Sequence, residues 1–162
     1  MSASTVEEVA TSVLKAYRKA SEYPLGKRLF SLAFSLKAPY FRTVRPFVAE
    51  LRPHYARVDI KKRWGVHNHI GTVHAIAACN GLEAAMGALA EATVPAGKRW
   101  IPKGMEVRYT AKSSSDLQCI AETTAEDWAK GGDVPVRVKC VRTDGVASVE
   151  GVITIYVSDK PA

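Results

Sequence analysis

Apolar residues recur with helical spacing through the first part of the chain. The N-terminal set predicts a helix over residues 5–21 and consists of Val6, Val9, Ala10, Val13, Leu14 and Tyr17. Thr5 followed by Glu8 has the spacing of a capping box, and Pro24 limits the far end. A second helix is predicted over residues 25–36, with an apolar stripe of Leu25, Leu29, Leu32, Ala33 and Leu36. We expect this stripe to cover an edge of the core; contact with a membrane surface is the alternative.

From Pro39 the pattern changes to the alternation typical of strands. Ala56, Val58 and Ile60 alternate with polar neighbours. Residues 71–92 are rich in alanine and apolar almost all round, which predicts a long buried helix. Four further strands follow, the first two joined by a turn over residues 111–116 and the last two by a turn at residues 143–145. A meander of four strands without intervening helices predicts an antiparallel sheet and the α+β class.

Composition limits the kinds of protein that fit this pattern. The chain has 162 residues, 47% of them hydrophobic, which suits a single domain with a real core. The start carries Glu7 and Glu8 and lacks the apolar segment of a secretory signal, and no long apolar run follows, so we expect a cytoplasmic protein without stable membrane insertion. The cysteines are too scattered for a disulfide framework or a metal knuckle and are interpreted as core residues: Cys79, Cys119 and Cys140.

Positive charge is concentrated in the first part of the chain. Residues 1–63 hold 13 Lys and Arg against 5 Asp and Glu, whereas the net charge of the whole chain is +7. This distribution favours an anionic partner, which includes nucleic acid, an acidic membrane surface or a phosphorylated molecule such as coenzyme A. A solvated surface of Lys and Arg is the simpler alternative. No nucleic-acid-binding motif accompanies the basic residues, so we expect no nucleic-acid partner.

The residues best suited to catalysis or ligand binding lie between positions 64 and 87. Glu83 is the one ionised side chain between residues 73 and 90, on a helix that is otherwise apolar. A buried carboxylate is costly unless it is paired, neutralised or used, which makes Glu83 a functional candidate. A glutamate at the helix rim that reaches water is the alternative.

His74 lies in the first turn of the same helix, where free backbone N–H groups and the helix dipole suit a developing oxyanion. It precedes Glu83 by nine residues, so the two side chains project from different sides of the helix and a shared site requires a second subunit. His67, His69 and His74 form an alternative metal cluster, but no Cys or Asp completes a ligand set, and we expect no metal.

The spacing Asn68-x5-His74-x8-Glu83, at the start of an alanine-rich helix followed by strands, resembles the hotdog-fold acyl-CoA thioesterases of the PaaI-like branch. The resemblance covers residues 39–157, and the segment YPLGKRLFSLAFSLKAPYF resembles a poorly characterised bacterial subgroup. It implies one domain over residues 1–162, in which residues 1–38 form a helical extension and residues 39–157 a hotdog core. In such a core a curled antiparallel sheet wraps the long helix, and subunits pair as a homodimer or a dimer of dimers.

The resemblance also implies roles for individual residues. Glu83 would act as general base or nucleophile, Asn68 would orient the water or the acyl group, and the Ala75 N–H would polarise the thioester carbonyl while His74 positions the loop. Two departures stand out, because the usual Gly-Gly after the histidine is Ala75-Ile76 and a glutamate replaces the commoner aspartate. The implied substrate-binding candidates are Gly71, Lys98, Arg99, Lys103 and Arg108.

The functional expectation is hydrolysis of an acyl thioester carried by coenzyme A or by an acyl carrier. Coenzyme A would enter as part of the substrate, and no cofactor is required. A hotdog module that binds an acyl group or lipid without turnover is the main alternative, which Ala75-Ile76 favours. A hydratase or dehydratase on the same fold is a third hypothesis.

Overall fold

The computed structural model describes residues 10–161. Its helices are α1 (Ser12–Ser21), α2 (Gly26–Lys37), α3 (Ala75–Thr93) and α4 (Ala125–Ala129), with short 3-10 helices at Pro39–Thr43 and Trp64–Val66. Its strands are β1 (Phe47–Arg52), β2 (Tyr55–Ile60), β3 (Lys98–Tyr109), β4 (Leu117–Glu122), β5 (Gly132–Arg142) and β6 (Ala147–Asp159).

One antiparallel sheet in the order β1-β2-β4-β5-β6-β3 curls around helix α3. The α+β class and the long buried helix are therefore confirmed. Small residues allow the close approach of helix and sheet, since a Cβ added to Gly81 would lie 2.6 Å from the Cys119 sulfur. Leu82 and Leu89 of the same helix are fully buried. Cys119 and Cys140 are buried as expected, whereas Cys79 is half-buried.

The predicted four-strand meander is wrong in one respect. Strand β3 does not form a hairpin with β4; it pairs with β6 at the far edge of the sheet, while β4 lies between β2 and β5. Residues 110–116 are therefore a crossover connection that passes β6 and β5 to join β3 to β4. A hydrogen bond between the Ser113 and Ser148 hydroxyls, at 2.9 Å, holds this connection against the sheet. Alternation along a strand determines which face is buried but does not determine which strand is its neighbour.

Several predicted element boundaries also shift. The N-cap of α1 is Thr11, whose hydroxyl accepts from the Leu14 N–H, and the predicted capping box of Thr5 and Glu8 lies outside the described residues. Strand structure begins at Phe47 rather than near residue 39, because a 3-10 helix comes first. Helix α3 begins at Ala75, four residues later than predicted. Helix α4, closed by a capping box of Thr124 and Asp127, was not predicted.

The prediction for the stripe of α2 is wrong. Its leucines do not cover the core, since Leu29 is 66% and Leu32 is 49% exposed, whereas Ser31 and Ser35 are buried. Strand β1 explains this orientation, because it is an edge strand with unpaired backbone groups that need partners. The Ser31 hydroxyl accepts from the Val48 N–H at 2.8 Å. The same edge receives bonds from Tyr17 and Lys27, both donated to the Ala49 carbonyl.

Two aromatic contacts fix α2 beside its neighbours. Phe30 meets Tyr17 edge to face with ring centroids 5.2 Å apart, and Phe34 stacks on Phe41 at 5.6 Å. Within residues 10–161 no helix is long and apolar enough to span a bilayer.

Candidate active site

The loop that leads into α3 is organised by Asn68. Its side-chain oxygen accepts from the backbone N–H groups of Ile70 and Thr72, each at 3.1 Å, and its amide nitrogen donates to the Thr72 hydroxyl at 2.8 Å. Gly71 lies in this loop with a φ of +75°, a conformation that favours glycine. The Asn68 side chain thus uses its polar atoms to shape the loop.

His74 is the N-cap of α3. Its Nδ1 accepts from the Ile76 N–H at 3.1 Å, so in the neutral ring the proton lies on Nε2, which is the ring nitrogen left for another partner. The backbone N–H of His74 donates to the Val66 carbonyl at 2.8 Å and ties the helix start to the preceding loop. Ala75 is the first helical residue, and its N–H has no acceptor within the helix. The geometry therefore leaves the Ala75 N–H available to an anionic or polarised oxygen at the positive end of the helix.

Glu83 is half-buried in the middle of α3. Among residues 10–161 its carboxylate has no hydrogen-bond or ion-pair partner. Cys79 lies one turn earlier on the same side of the helix and is 3.6 Å from the Tyr109 hydroxyl. Farther along, the Trp100 indole N–H donates to Glu91 at 3.2 Å. These two contacts place the Glu83 side of α3 along strand β3, between Tyr109 and Trp100.

The thiol beside this carboxylate is not activated. Burial raises the pKa of Cys79, and the hydrogen bond to Cys79 raises the pKa of Tyr109. A thiol with a raised pKa is a poor nucleophile near neutral pH, because the thiolate is the reactive form. Within the described part of the Glu83 neighbourhood, the carboxylate is therefore the stronger candidate for chemistry. Sequence reasoning did not predict the contact between Cys79 and Tyr109, because it depends on where the fold brings β3 relative to α3.

A single subunit does not bring the helix start and Glu83 together. Ala75 and Glu83 are eight residues apart, which corresponds to a rise of about 12 Å along the helix. A base that takes a proton from water and a donor that polarises the same carbonyl must both lie within about 3 Å of the reacting atoms. His74 and Glu83 of one helix are therefore too far apart to act on the same substrate atoms, as their spacing in the sequence predicted.

A small pocket of about 220 Å³ opens beside the start of α3, and its polar lining residues include His67, His74 and Asn80. Asn80 is buried and donates to the Thr43 hydroxyl at 2.8 Å. His67 is half-buried, and its Nε2 has no hydrogen-bond partner among the described residues. Sequence analysis did not single out Asn80; a lone amide on an apolar helix was the available signal. In residues 10–161 no three His, Cys, Asp or Glu side chains form a metal-binding group.

The four basic candidates all lie on β3, but their environments differ. Lys98 forms an ion pair with Asp159 and Lys103 one with Asp133, each at 2.7 Å. Arg99 donates to the Ser158 hydroxyl at 3.3 Å. Arg108 is exposed and forms no ion pair with any described residue. Of the four, Arg108 is therefore the most available to an external anion.

Comparisons with known proteins establish the fold and the family. The protein in a crystal structure described as "genomics APC5556" is 40% identical in sequence to this chain. The match covers 91% of this chain and 98% of the other, with a TM-score of 0.79. A Pseudomonas aeruginosa protein described as a probable thioesterase is 20% identical, covers 78% of this chain and 91% of its own, and has a TM-score of 0.69. A Haemophilus influenzae thioesterase is 7% identical, with coverages of 74% and 82% and a TM-score of 0.64.

These likenesses confirm the predicted hotdog fold, which is shared with thioesterases. No curated protein matches the chain. A family model described as "Domain of unknown function (DUF4442)" matches residues 26–157. Since this match covers most of the chain, the protein belongs to the DUF4442 family.

Proposed function

We propose that this protein hydrolyses acyl thioesters, that acyl-CoA is the substrate, and that Glu83 activates the attacking water. The observation that carries the proposal is the carboxylate itself, because Glu83 is half-buried on a core helix with no partner among the described residues. A half-buried carboxylate without a partner gives up part of its hydration for no structural contact, and a role in chemistry accounts for this position. The thioesterases that share the fold support this class of chemistry.

The proposed reaction uses groups that the chain supplies. The Glu83 carboxylate takes a proton from water while the water oxygen attacks the thioester carbonyl carbon. The negative charge that develops on the carbonyl oxygen is stabilised by the Ala75 N–H at the positive end of α3, and His74 acts as a positioning residue by capping that helix. Collapse of the intermediate breaks the carbon–sulfur bond and returns the proton to the thiolate. The products are a carboxylic acid and a free thiol, and the chemistry requires no metal or redox cofactor.

The proposed site requires a second subunit. Within one subunit Glu83 and Ala75 are separated by about 12 Å along the helix, so we propose that Glu83 works with the helix start of a partner. Strand β3 offers the pairing edge, because it is one of the two edge strands, has 12 residues and exposes Ile101 and Tyr109. The opposite edge, β1, is already closed by Ser31 and Lys27. A homodimer through β3, or a dimer of such dimers, would close the remaining edge.

Asn68 receives indirect support as part of the same site. Two crystal structures of one Staphylococcus aureus protein, described in one of them as a thioesterase enzyme, carry a Gln to Ala and a Glu to Ala substitution at positions 15 residues apart. Asn68 and Glu83 have the same separation here. We propose that Asn68 positions the loop before α3, through the bonds that it makes to Ile70 and Thr72. For the coenzyme A phosphates we propose Arg108, because Lys98 and Lys103 are neutralised by aspartates.

The test is thiol release from a panel of short, medium, long and aromatic acyl-CoA substrates. We expect Glu83→Gln to lower kcat by roughly a hundredfold or more, since it removes the proposed base while keeping the side-chain shape. Glu91→Gln is the matched control, because Glu91 is also a half-buried carboxylate on α3 and its amide substitute still accepts from Trp100. Hydrolysis that survives in Glu83→Gln would contradict the proposed role of Glu83.

The alternative function, an acyl-binding module without turnover, is favoured by two observations. Ala75 and Ile76 stand where the resembling enzymes have two glycines, and the Asn68 side chain is engaged within its own loop. If the wild-type protein releases no thiol from any substrate but binds acyl-CoA in calorimetry, the function is acyl binding without turnover and the proposal of a hydrolase is wrong.

A further inference from the structure

Helix α2 and its flanks expose a continuous set of large apolar side chains. The four leucines are between 49% and 66% exposed, and the tyrosines at the two ends are 61% and 68% exposed. We call this surface the leucine face; it consists of Tyr23, Leu25, Leu29, Leu32, Leu36 and Tyr40. Leucines on a helix bury their side chains when a neighbouring element is available, so a face of this composition indicates a partner outside the described fold.

Positive charge lies along one side of the leucine face. Residues 23–49 contain no Asp or Glu and carry Lys27, Arg28, Lys37, Arg42 and Arg45. Three of these cations, the arginines, line one cleft of about 810 Å³ together with Leu32. Among residues 10–161 none of the three arginine side chains has an ion-pair or hydrogen-bond partner. Leu32 of the leucine face therefore shares a cleft with three unpaired guanidinium groups.

From this combination we propose that the leucine face docks on the surface of an anionic lipid bilayer. The leucines would enter the boundary between headgroups and acyl chains, and the arginines would contact lipid phosphates. In this orientation Tyr23 and Tyr40 would lie at the level of the headgroups, which is the membrane region that amphipathic aromatic rings prefer. The attachment is peripheral, because no described helix can span a bilayer.

Charge complementarity favours a membrane over a second copy of this chain. Two copies that met through the leucine face would bring Arg28, Arg42 and Arg45 of both subunits to one interface. The acidic residue nearest to this face in the sequence is Glu22, which lines a neighbouring cleft with Arg28, so each copy would contribute three arginines against one glutamate. Like charges at an interface oppose association. An anionic bilayer offers both the apolar interior and the negative surface that the face lacks.

The test is flotation of the full-length protein with vesicles. We expect binding to vesicles of phosphatidylcholine and phosphatidylglycerol in equal parts, weaker binding to phosphatidylcholine alone, and release by high salt. The double variant Leu29→Glu/Leu32→Glu should lower vesicle binding by at least about tenfold, because it places charge where apolar side chains would enter the bilayer. Arg42→Gln should lower it by about fivefold, which is the contribution of one cation near an anionic surface.

Val146→Glu is the matched control, since Val146 is an exposed apolar residue (42%) that lies outside the leucine face. It should bind vesicles as the wild type does.

Light scattering of the wild type and the double variant provides a second readout. A double variant that binds vesicles normally overturns the proposal, and so does a wild type that binds neither vesicle. An oligomer that dissociates in the double variant, without vesicle binding by the wild type, would assign the face to self-association instead. Hydrolysis of a short-chain acyl-CoA in solution should be unchanged in the double variant, so the outcome is independent of the proposed catalysis.

Discussion

Helices α3 and α2 both carry leucines at helical spacing, and the fold uses them in opposite ways. In α3, Leu82 and Leu89 are fully buried by the sheet that curls around the helix. In α2, Leu29 and Leu32 face solvent, while Ser31 faces the sheet. The difference follows from what each helix covers, because α3 lies against side chains on the concave face of the sheet and α2 lies against the backbone edge of β1. An edge with unpaired N–H and C=O groups is better covered by hydroxyl and ammonium groups than by leucines.

The same Leu to Ala substitution in both helices should have very different effects on stability. Leu82→Ala should lower the free energy of unfolding by about 3 kcal/mol, because it leaves a cavity inside the sheet. Leu29→Ala should change it by less than about 0.5 kcal/mol, since the side chain is 66% exposed. Urea unfolding of the two variants measures both effects. Equal losses would show that the leucine face is covered by the rest of the protein.

A second, smaller effect tests the polar side of α2. Ser31→Ala should lower the free energy of unfolding by about 1–3 kcal/mol, because the buried Val48 N–H loses its acceptor. Ser21→Ala is the control, since Ser21 is an exposed serine whose hydroxyl also donates to a carbonyl within its helix but accepts no bond from the sheet. Calorimetry compares the two. A Ser31→Ala variant as stable as the control would mean that the edge of β1 does not depend on this bond.

The same contrast explains how far sequence reasoning reaches. The pattern of α3 predicts its burial because a helix that is apolar on all sides has only one suitable environment. The pattern of α2 predicts a helix but not its orientation, because the unpaired edge of β1 is a product of the whole sheet. For the same reason alternation located the strands but did not place β3 beside β6.

The candidate site divides in a similar way. Local sequence predicted His74 in the first turn of the helix, and in the structure His74 is the N-cap. Ala75, which the resemblance implied at the helix start, is the first helical residue. The closeness of Cys79 to Tyr109 depends on where the sheet brings β3 relative to α3, which no local pattern records. The ion pairs of Lys98 and Lys103 likewise depend on strand pairing, because their partners Asp159 and Asp133 are distant in sequence.

The smallest expected effect concerns charge, because several cations on the sheet and at its strand ends form ion pairs, whereas the three arginines of the cleft beside α2 do not. Lys61 donates to Asp116 at 2.7 Å, and this hydrogen bond lowers the pKa of the Asp116 carboxyl below its ordinary value of 3.8. A lowered pKa stabilises the fold at pH values above the ordinary one, and the contribution is lost as the pH falls through the lowered value. Since the Lys61 side chain is 79% exposed and the ion pair is open to solvent on that side, we expect at most about 0.5 kcal/mol.

Asp116→Asn should therefore lower the free energy of unfolding slightly at neutral pH and leave it unchanged in strong acid, where the wild-type carboxyl is also neutral. The asparagine keeps an oxygen for the Lys62 N–H, so the difference isolates the charge. Arg28→Gln is the control, because Arg28 has no ion-pair partner among the described residues and its removal should not alter the pH dependence. Urea titrations of the three proteins across the acid range measure the difference. Suppose that the stability of Asp116→Asn follows the wild-type pH profile and that of Arg28→Gln does not. Then Arg28, and not Asp116, forms the stabilising ion pair, and the difference in charge pairing between the sheet and the cleft beside α2 is wrong.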